Sequence, residues 1–238
     1  MEDRNTLTAR SAVLSALLGS HPPRLPSRAL VRVGEVFGIA EGTVRVALSR
    51  MVAAGDLVQD DGRYELSERL RERQARQDES RSPHTRPWDG TWEIAIVTAE
   101  RRAPSDRAAL RHTMTALRLA ELREGTWLRP ANLIRRWPEI VTAQCTLVDG
   151  RPREDPTALL WDLDGWAAEA RRLERALGQA EGLAEGFLVS AAVLRHLLAD
   201  PLLPAELLPQ DWPGARLRAR YDDFDRDYRR ALQAHLNS

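Results

Sequence analysis

The chain predicts an α+β protein in three parts: an N-terminal winged helix-turn-helix, a central ferredoxin-like α+β domain and a C-terminal helical domain. Three observations carry that expectation. Three short amphipathic helical patterns run up to Gly55 and are followed at once by a hairpin signal at Asp60-Asp61-Gly62. A polar stretch over 67–87 then separates them from an alternation of strand-like and helix-like runs. Beyond Asp164 the patterning is helical to the end. The expected boundaries are 1–70 for the winged helix, 71–87 for a linker helix, 88–180 for the ferredoxin-like domain and 181–238 for the helical domain.

The first helix covers residues 9–19, where Val13, Leu14, Leu17 and Leu18 form a stripe that Gly19 and Pro22-Pro23 end. Pro26-Ser27 opens a second helix, with Ser27 as its expected N-cap and Leu30, Val31, Val33, Val36 and Phe37 following. Gly38 stops it in a tight turn. The third helix starts near Glu41 and closes at Gly55, with Val44, Leu48, Met51 and Val52 on one face at the helical repeat. Its opposite face holds Thr43, Val46, Ser49 and Arg50, with Gly42 and Ala53 beside them and Arg45 on the flank. That outer face is small, polar and basic. Short side chains let a helix approach a major groove, where Arg and Ser reach base edges or phosphates. Leu57-Val58 and Tyr64-Glu65-Leu66 are the strands of the hairpin, and Arg63 near its tip is placed to touch phosphate. The neighbouring Asp60 and Asp61 oppose that contact. Arg28, early in the second helix, completes the expected DNA-binding set.

Residues 67–87 alternate Arg and Glu and are expected to form a solvated helix that frays before Pro83 and Pro87. The central domain begins at Trp88-Asp89-Gly90-Thr91-Trp92, followed by a strand in which Ile94, Ile96 and Thr98 share a face. A helix from Pro104-Ser105 carries Leu110, Met114 and Leu117 and is expected to end at Gly125. Further strands are read at Thr126 to Leu128, near Val141 to Val148, and at Leu159 to Trp161. Asp164 then caps a helix with Trp166, Ala170, Leu173 and Leu177 inward. This order suggests a ferredoxin-like unit, which leaves a sheet face or edge for a partner subunit. A following helix is striped by Phe187, Ala191, Leu194 and Leu198 up to Asp200-Pro201. The last helix bears Leu217, Tyr221, Phe224, Tyr228 and Leu232.

Composition narrows the function. With 238 residues, 29% charged and 43% hydrophobic, the chain is ordinary for a soluble protein. No apolar run has the length of a membrane helix, the polar start MEDRNTLTARS is unlike a secretory signal, and Cys145 is the single cysteine, so a cytoplasmic location is expected. Net charge is zero, and all the basic charge is arginine. A DNA contact must therefore be a local patch. Catalysis and cofactors are not expected. No Gly-rich phosphate loop or metalloprotease helix is present. His21, His84, His112, His196 and His235 lack metal-ligand spacing, and Cys145 reads as a buried residue in a strand. A phosphodiesterase would need acids at a strand end. The run Ile94 to Ala99 has none, Glu100 being the nearest.

In this setting the chain resembles the PaaX-type repressors, regulators of phenylacetate degradation and related aromatic catabolism. The resemblance rests on three ordered motifs. Gly38-Ile39 precedes Val44-Arg45-Val46-Ala47-Leu48-Ser49-Arg50-Met51; Trp88 to Trp92 opens the first central strand; Leu203 to Gly214 reads LPAELLPQDWPG. It implies a homodimer on a palindromic double-stranded DNA operator, released by an aryl-CoA or acyl-CoA effector such as phenylacetyl-CoA. It also implies a central domain similar to the small CRISPR adaptation nucleases. One departure stands out. Family members often carry His-Glu-aromatic-Arg-Arg before the Asp-Pro, whereas this chain has Leu194-Arg195-His196-Leu197-Leu198-Ala199. An acyl-CoA needs cations for its phosphates and an apolar slot, and the candidate residues are Trp127, Arg129, Arg136 and Trp137, with Arg220 on the last helix. Asn132 and Arg135 lie in the same stretch, and Arg216, Arg218 and Tyr221 lie beside Arg220. Two alternatives remain open: a protein-interaction adaptor that uses the winged helix, and a metal-dependent nuclease.

Overall fold

The computed structural model describes residues 8–237, and side chains through residue 234. The polar start at 1–7 and the side chain of His235 lie outside the described residues. Helices and strands are mixed, and the chain divides into two compact units. One unites the N-terminal part through Asp78 with 176–192 and the stretch from Arg220 onward. The other unites Glu79–Arg175 with Val193–Ala219.

In the first unit, α1 (Ala9–Leu18), β1 (Arg24–Pro26), α2 (Ser27–Val36), α3 (Glu41–Ala53), β2 (Leu57–Asp60) and β3 (Arg63–Leu66) have the order of a winged helix-turn-helix. The sheet runs β1-β3-β2, antiparallel throughout. Val13, Leu17, Leu30, Val44, Leu48, Met51 and Leu66 form one core under it. The α2–α3 turn is tight because two glycines permit it. Gly38 has φ +68, a conformation that costs a side chain strain. Gly34 sits so close to α3 that a Cβ there would lie 2.4 Å from Cγ2 of Val44. At the far end of α3, Gly55 (φ +70) closes a Schellman motif. Its N–H donates to the Val52 carbonyl at 3.0 Å, and the Asp56 N–H donates to the Met51 carbonyl at 2.9 Å.

Two local details differ from the sequence reading. Pro26, not Ser27, is the N-cap of α2, and Ser27 is its first helical residue, with its N–H donating to the Gly62 carbonyl at 3.0 Å. Residues 24–26, which follow Pro22-Pro23 and end in Pro26, form a strand because they pair with β3. After the hairpin, α4 (Glu68–Arg81) follows. It is exposed along most of its length, but Leu70 and Gln74 are buried, and the Gln74 amide donates to the Leu18 and Ser20 carbonyls.

The second unit contains β4 (Trp92–Val97), α5 (Pro104–Ala116), β5 (Ala120–Arg123), β6 (Thr126–Pro130), α6 (Glu139–Thr142) and β7 (Cys145–Gly150). Its sheet order is β5-β6-β4-β7, every pair antiparallel. This is the ferredoxin-like βαββαβ topology with the second crossover helix reduced to one turn. Ala95, Leu110, Met114, Leu119, Trp127, Val141 and Cys145 form its core. Ile94 and Ile96 share the other face of β4 and pair with Val148 and Thr146 of β7. Ile96 and Val148 are exposed there, at 39% and 42%.

The expected helix running to Gly125 ends earlier, at Ala116, and Gly125 instead turns the β5–β6 hairpin. The stop is another Schellman motif: Arg118 takes φ +62 and the Leu119 N–H donates to the Met114 carbonyl at 3.0 Å. An arginine holds the position that glycine usually marks, so the sequence carried no signal for it. The strand expected at Leu159 to Trp161 is also corrected. Thr157–Leu160 is a helical turn, α7, set by Asp155, whose Oδ1 accepts the Thr157 N–H at 2.9 Å. Within the run read as a strand near Val141 to Val148, Glu139–Thr142 is helical and only Cys145 onward is strand.

Three helices complete the chain: α8 (Leu163–Gln179), α9 (Gly182–Leu198) and α10 (Gly214–Asn237). On α8, Trp166, Ala170, Leu173 and Leu177 are buried, as the periodicity requires. Its cap is Asp162 rather than Asp164, since Oδ1 of Asp162 accepts the Gly165 N–H at 2.9 Å. On α9 the buried stripe is Phe187, Val193 and Leu197, and Leu198 is exposed, so the stripe is rotated from Ala191, Leu194 and Leu198. On α10, Leu217 and Tyr221 are buried, and Phe224 stacks on Tyr228 at 6.0 Å.

Candidate nucleic-acid interface

The outer face of α3 is built by its inner one. Val44, Leu48 and Met51 are buried, at 0%, 0% and 2% exposure, which fixes the rotation of the helix. Thr43, Arg45, Val46, Ser49 and Arg50 are then all exposed. Val46 is 51% exposed, an apolar side chain directed away from the core of its own fold. Gly42 is exposed on the same face, and a Cβ there would meet nothing within 4 Å. A glycine inside a helix costs about 1 kcal/mol relative to alanine. Here no contact within the described chain calls for one.

The cations differ in how far they are engaged. Arg45 is held by Glu41 one turn back, Nε to Oε1 at 2.7 Å. Ser49 donates its hydroxyl to the Arg45 carbonyl at 3.2 Å, and its oxygen still has capacity to accept. The Arg50 guanidinium has no ion-pair or hydrogen-bond partner among the described residues. Thr43, Val46 and Arg50 line one open groove that also takes in Arg10 of α1 and the carboxylate-bearing Asp56. Arg10 was not found from the sequence, because nothing in the pattern of residues 9–19 distinguishes it from a solvated arginine.

Arg28 and Arg63 belong to a second corner. Pro26 pairs opposite Arg63, and both arginines are exposed without an acidic partner among the described residues. The hairpin tip is a two-residue loop with positive φ at Asp61 (42°) and Gly62 (68°), the conformation of a type I′ turn. The acidic tip that opposed a phosphate contact is partly neutralised: Asp60 binds Arg24, Oδ2 to Nη2 at 2.7 Å.

The candidate effector residues fall in different places. Trp127 is a core residue, 5% exposed, with the Arg111 guanidinium 5.3 Å from its ring. Arg129 is fully buried and spends its donors on its own chain: the carbonyls of Pro130, Arg118 and Leu202, and Oδ1 of Asn132. Burial pulls its pKa down to about 9, which leaves it charged at neutral pH. Arg129 thus clamps the loop after α9 in place and is not a cation left open for a ligand. Arg136 is exposed, and Trp137 is half-buried with the Arg135 guanidinium 4.1 Å over its ring. With Trp127 and Arg129 committed to the interior and Arg136 on the surface, these residues of the second unit do not line one site. Arg220 is exposed on α10 in the first unit.

The first central strand does contain an acid that the sequence reading missed. It begins at Trp92 and includes Glu93, which is buried and ion-paired with Arg135; desolvation raises its pKa despite that partner. Among the described residues no group of three or more His, Cys, Asp or Glu side chains could hold a metal ion. Cys145 is free and buried at the start of β7, and desolvation raises its thiol pKa. No described helix is long and apolar enough to cross a membrane.

Three family models match the chain. A PaaX-like protein model covers residues 8–70, a PaaX protein central Cas2-like domain covers 85–146, and a PaaX-like protein C-terminal domain covers 161–238. The motifs at Gly38 to Met51, Trp88 to Trp92 and Leu203 to Gly214 fall one in each. No curated protein matches. Among solved structures, the uncharacterized protein Rv0674 from Mycobacterium tuberculosis is 48% identical, over 96% of this chain and 99% of that one, with a TM-score of 0.80. The chain belongs to the PaaX-like family, a group of transcriptional regulators.

Proposed function

We propose that the protein is a homodimeric, cytoplasmic repressor that reads a palindromic operator by placing α3 in the major groove, and that an aryl-CoA or related thioester releases it to induce an aromatic-catabolism operon. The observation that carries the DNA reading is the outer face of α3. It is exposed, small in side-chain size, and carries Arg50 with no acid partner among the described residues. Arg28 and Arg63 supply backbone contacts at the wing corner, and Thr43, Val46 and Ser49 lie against base edges. Dimerisation is supported by the exposed apolar pair Ile96 and Val148 on one sheet face, which a second copy would cover. Two recognition helices would then sit about one DNA turn, roughly 34 Å, apart. A ligand that binds better to a dimer of different spacing shifts the population off DNA. The effector class is carried over from the family resemblance.

Gly42 gives a test that separates folding from function. Gly42→Ala adds a methyl where the fold leaves space, so it raises stability by about 0.5–1 kcal/mol. The same methyl stands on the face that approaches DNA, and it weakens binding to a duplex selected by the wild-type protein from a random pool. Arg50→Ala costs about 1–3 kcal/mol of operator binding with the fold intact. Binding unchanged in both variants sinks the assignment of this face. Adding a panel of aryl-CoA and acyl-CoA esters to the same gel-shift assay tests the release step.

A further inference from the structure

Among the described residues, Asp56 is the one deeply buried carboxylate on the groove beside α3, and it is pinned through its backbone and its side chain alike. Its backbone N–H closes the Schellman motif of α3, and its carbonyl accepts the Ser67 N–H at 2.9 Å. Its side chain is 5% exposed and binds two arginines from two other helices: Arg10 of α1, Nη2 to Oδ2 at 2.8 Å, and Arg69 of α4 through Oδ1. Both arginines remain largely open, with side chains 57% and 68% exposed. One carboxylate thus holds two guanidiniums, leaving a local surplus of one positive charge at the edge of the groove that Thr43, Val46 and Arg50 share.

Arg10 is not placed for the good of its helix. It lies in the first turn of α1, where Thr8 is the N-cap and no acidic residue is present. A cation there meets the positive end of the helix dipole, an unfavourable placement. Asp56 offsets that cost and removes the rotational freedom of a side chain that would otherwise sample many rotamers. A pre-ordered guanidinium loses less entropy when it meets an anion.

Resting on the DNA reading above, we propose that Asp56 is a positioning residue for operator binding: it orients Arg10, and beside it Arg69, so that their open donors meet backbone phosphates flanking the bases that α3 reads. The proposal predicts a sign that simple charge counting does not. Asp56→Asn removes a negative charge beside the DNA, so a pure field effect would tighten binding to every duplex. Loss of positioning instead weakens the selected duplex by about tenfold while leaving a scrambled duplex bound as well as before or better.

The experiment compares wild type, Asp56→Asn, Arg10→Gln and the double variant on two duplexes, one enriched from a random pool by the wild-type protein and one scrambled, across a salt series. Arg10→Gln is expected to lower the magnitude of the salt slope by about 1. Of the two arginines that Asp56 holds, Arg10 and not Arg69 lines the groove, so Asp56 acts chiefly through Arg10, and the double variant should bind the selected duplex within about threefold of Arg10→Gln alone. A thermal melt of each variant, with Arg69→Lys as a further variant that keeps the charge, separates misfolding from mispositioning: a misfolded chain loses both duplexes together. Tighter binding of the selected duplex by Asp56→Asn, or strictly additive losses in the double variant, overturns the proposal. If the wild-type protein enriches no duplex at all, the DNA reading fails and this role falls with it.

Discussion

Gly34 offers a test of how tightly α3 is held against α2. Replacing it by alanine sets two effects of known size against each other. Removing a glycine from the last turn of α2 favours the helix by up to about 1 kcal/mol. Against that, the new Cβ would stand 2.4 Å from Val44 Cγ2, with the Ile39 carbonyl oxygen at 3.5 Å and Ile39 Cβ at 3.8 Å. Carbon atoms pack at about 3.5–4.0 Å, so more than about 1 Å of movement is required. Val44 cannot supply it by rotating: it is 0% exposed, packed within the core of the first unit, and β-branched in a helix, where one rotamer dominates. The strain therefore falls on the α2–α3 crossing. Overpacking of this kind costs about 1–3 kcal/mol, and the stiffness of Val44 puts it near the upper end. The net expectation is a loss of about 1–2 kcal/mol, read as a lower urea midpoint with an unchanged slope. A double-mutant cycle sharpens it: in the Val44→Ala background the clash is gone, so Gly34→Ala should cost at least about 1 kcal/mol less than in the wild type. A variant Gly34→Ala that is as stable as wild type, or more so, would refute the close-packing argument, because helix propensity would then have won.

Other expectations follow from single contacts. Gly62→Ala puts a side chain at φ +68 in the hairpin tip and should lower stability by about 1–2 kcal/mol, seen as faster amide exchange in β2 and β3; unchanged exchange would argue against the type I′ turn. Arg129→Met leaves the carbonyls of Pro130 and Arg118 and Oδ1 of Asn132 without the guanidinium donor, while the Leu202 carbonyl keeps the Asn132 amide; the change should cost about 3 kcal/mol or more, measured by thermal melting, and a neutral effect would mean that water replaces the guanidinium. His196 stacks on Trp166 at 4.3 Å, and burial holds its pKa below the ordinary 6.5. Below that ordinary value the unfolded chain binds the proton more readily than the fold does, so stability is lost as pH falls through about 6.5 toward the lower folded value. A melting temperature flat across that window in wild type, or one just as steep in His196→Phe, contradicts this.

Helix α3 was legible because two signals agreed: the Val44, Leu48, Met51 stripe and the glycines Gly38 and Gly55 on either side. The hairpin was legible from Asp61-Gly62, whose chemistry selects one turn. What escaped was non-local or carried by unusual residues. Arg118 ends α5 in a left-handed conformation that sequence rules reserve for glycine, so strand β5 was absorbed into the expected helix. β1, three residues that follow Pro22-Pro23 and end in Pro26, exists only because β3 lies beside it. The rotation of the stripe on α9 depends on which neighbours reach Phe187, Val193 and Leu197, and Phe37 at the end of α2 is one, 5.0 Å from Phe187. Among candidate site residues, Arg129 shows the limit most clearly. An arginine flanked by tryptophans reads as a ligand cation from sequence, yet its acceptors lie on Pro130, Arg118 and Leu202, the last brought in from far along the chain.

The zero net charge looks unfavourable for a protein proposed to bind DNA, but the ion pairs show where the charge goes. In the N-terminal part, Glu41 is taken by Arg45, Asp60 by Arg24, Glu65 and Glu68 by Arg71, and Asp56 by Arg10 and Arg69. Arg28, Arg50 and Arg63 have no such acid among the described residues, although Asp61 stands at the tip next to Arg63. Exposed pairs hold little energy, about 0–1 kcal/mol, so their value here is spatial rather than energetic. They pair off these acids and leave Arg50 on the α3 face and Arg28 and Arg63 near the hairpin without an acidic partner among the described residues. Charges farther off than a Debye length of about 8 Å are largely screened, so at the surface only such local imbalances are felt. A chain of zero net charge arranged this way gains little long-range attraction to DNA of arbitrary sequence. Its binding must then come from close contacts made in register, which favours discrimination between sites over affinity for all of them.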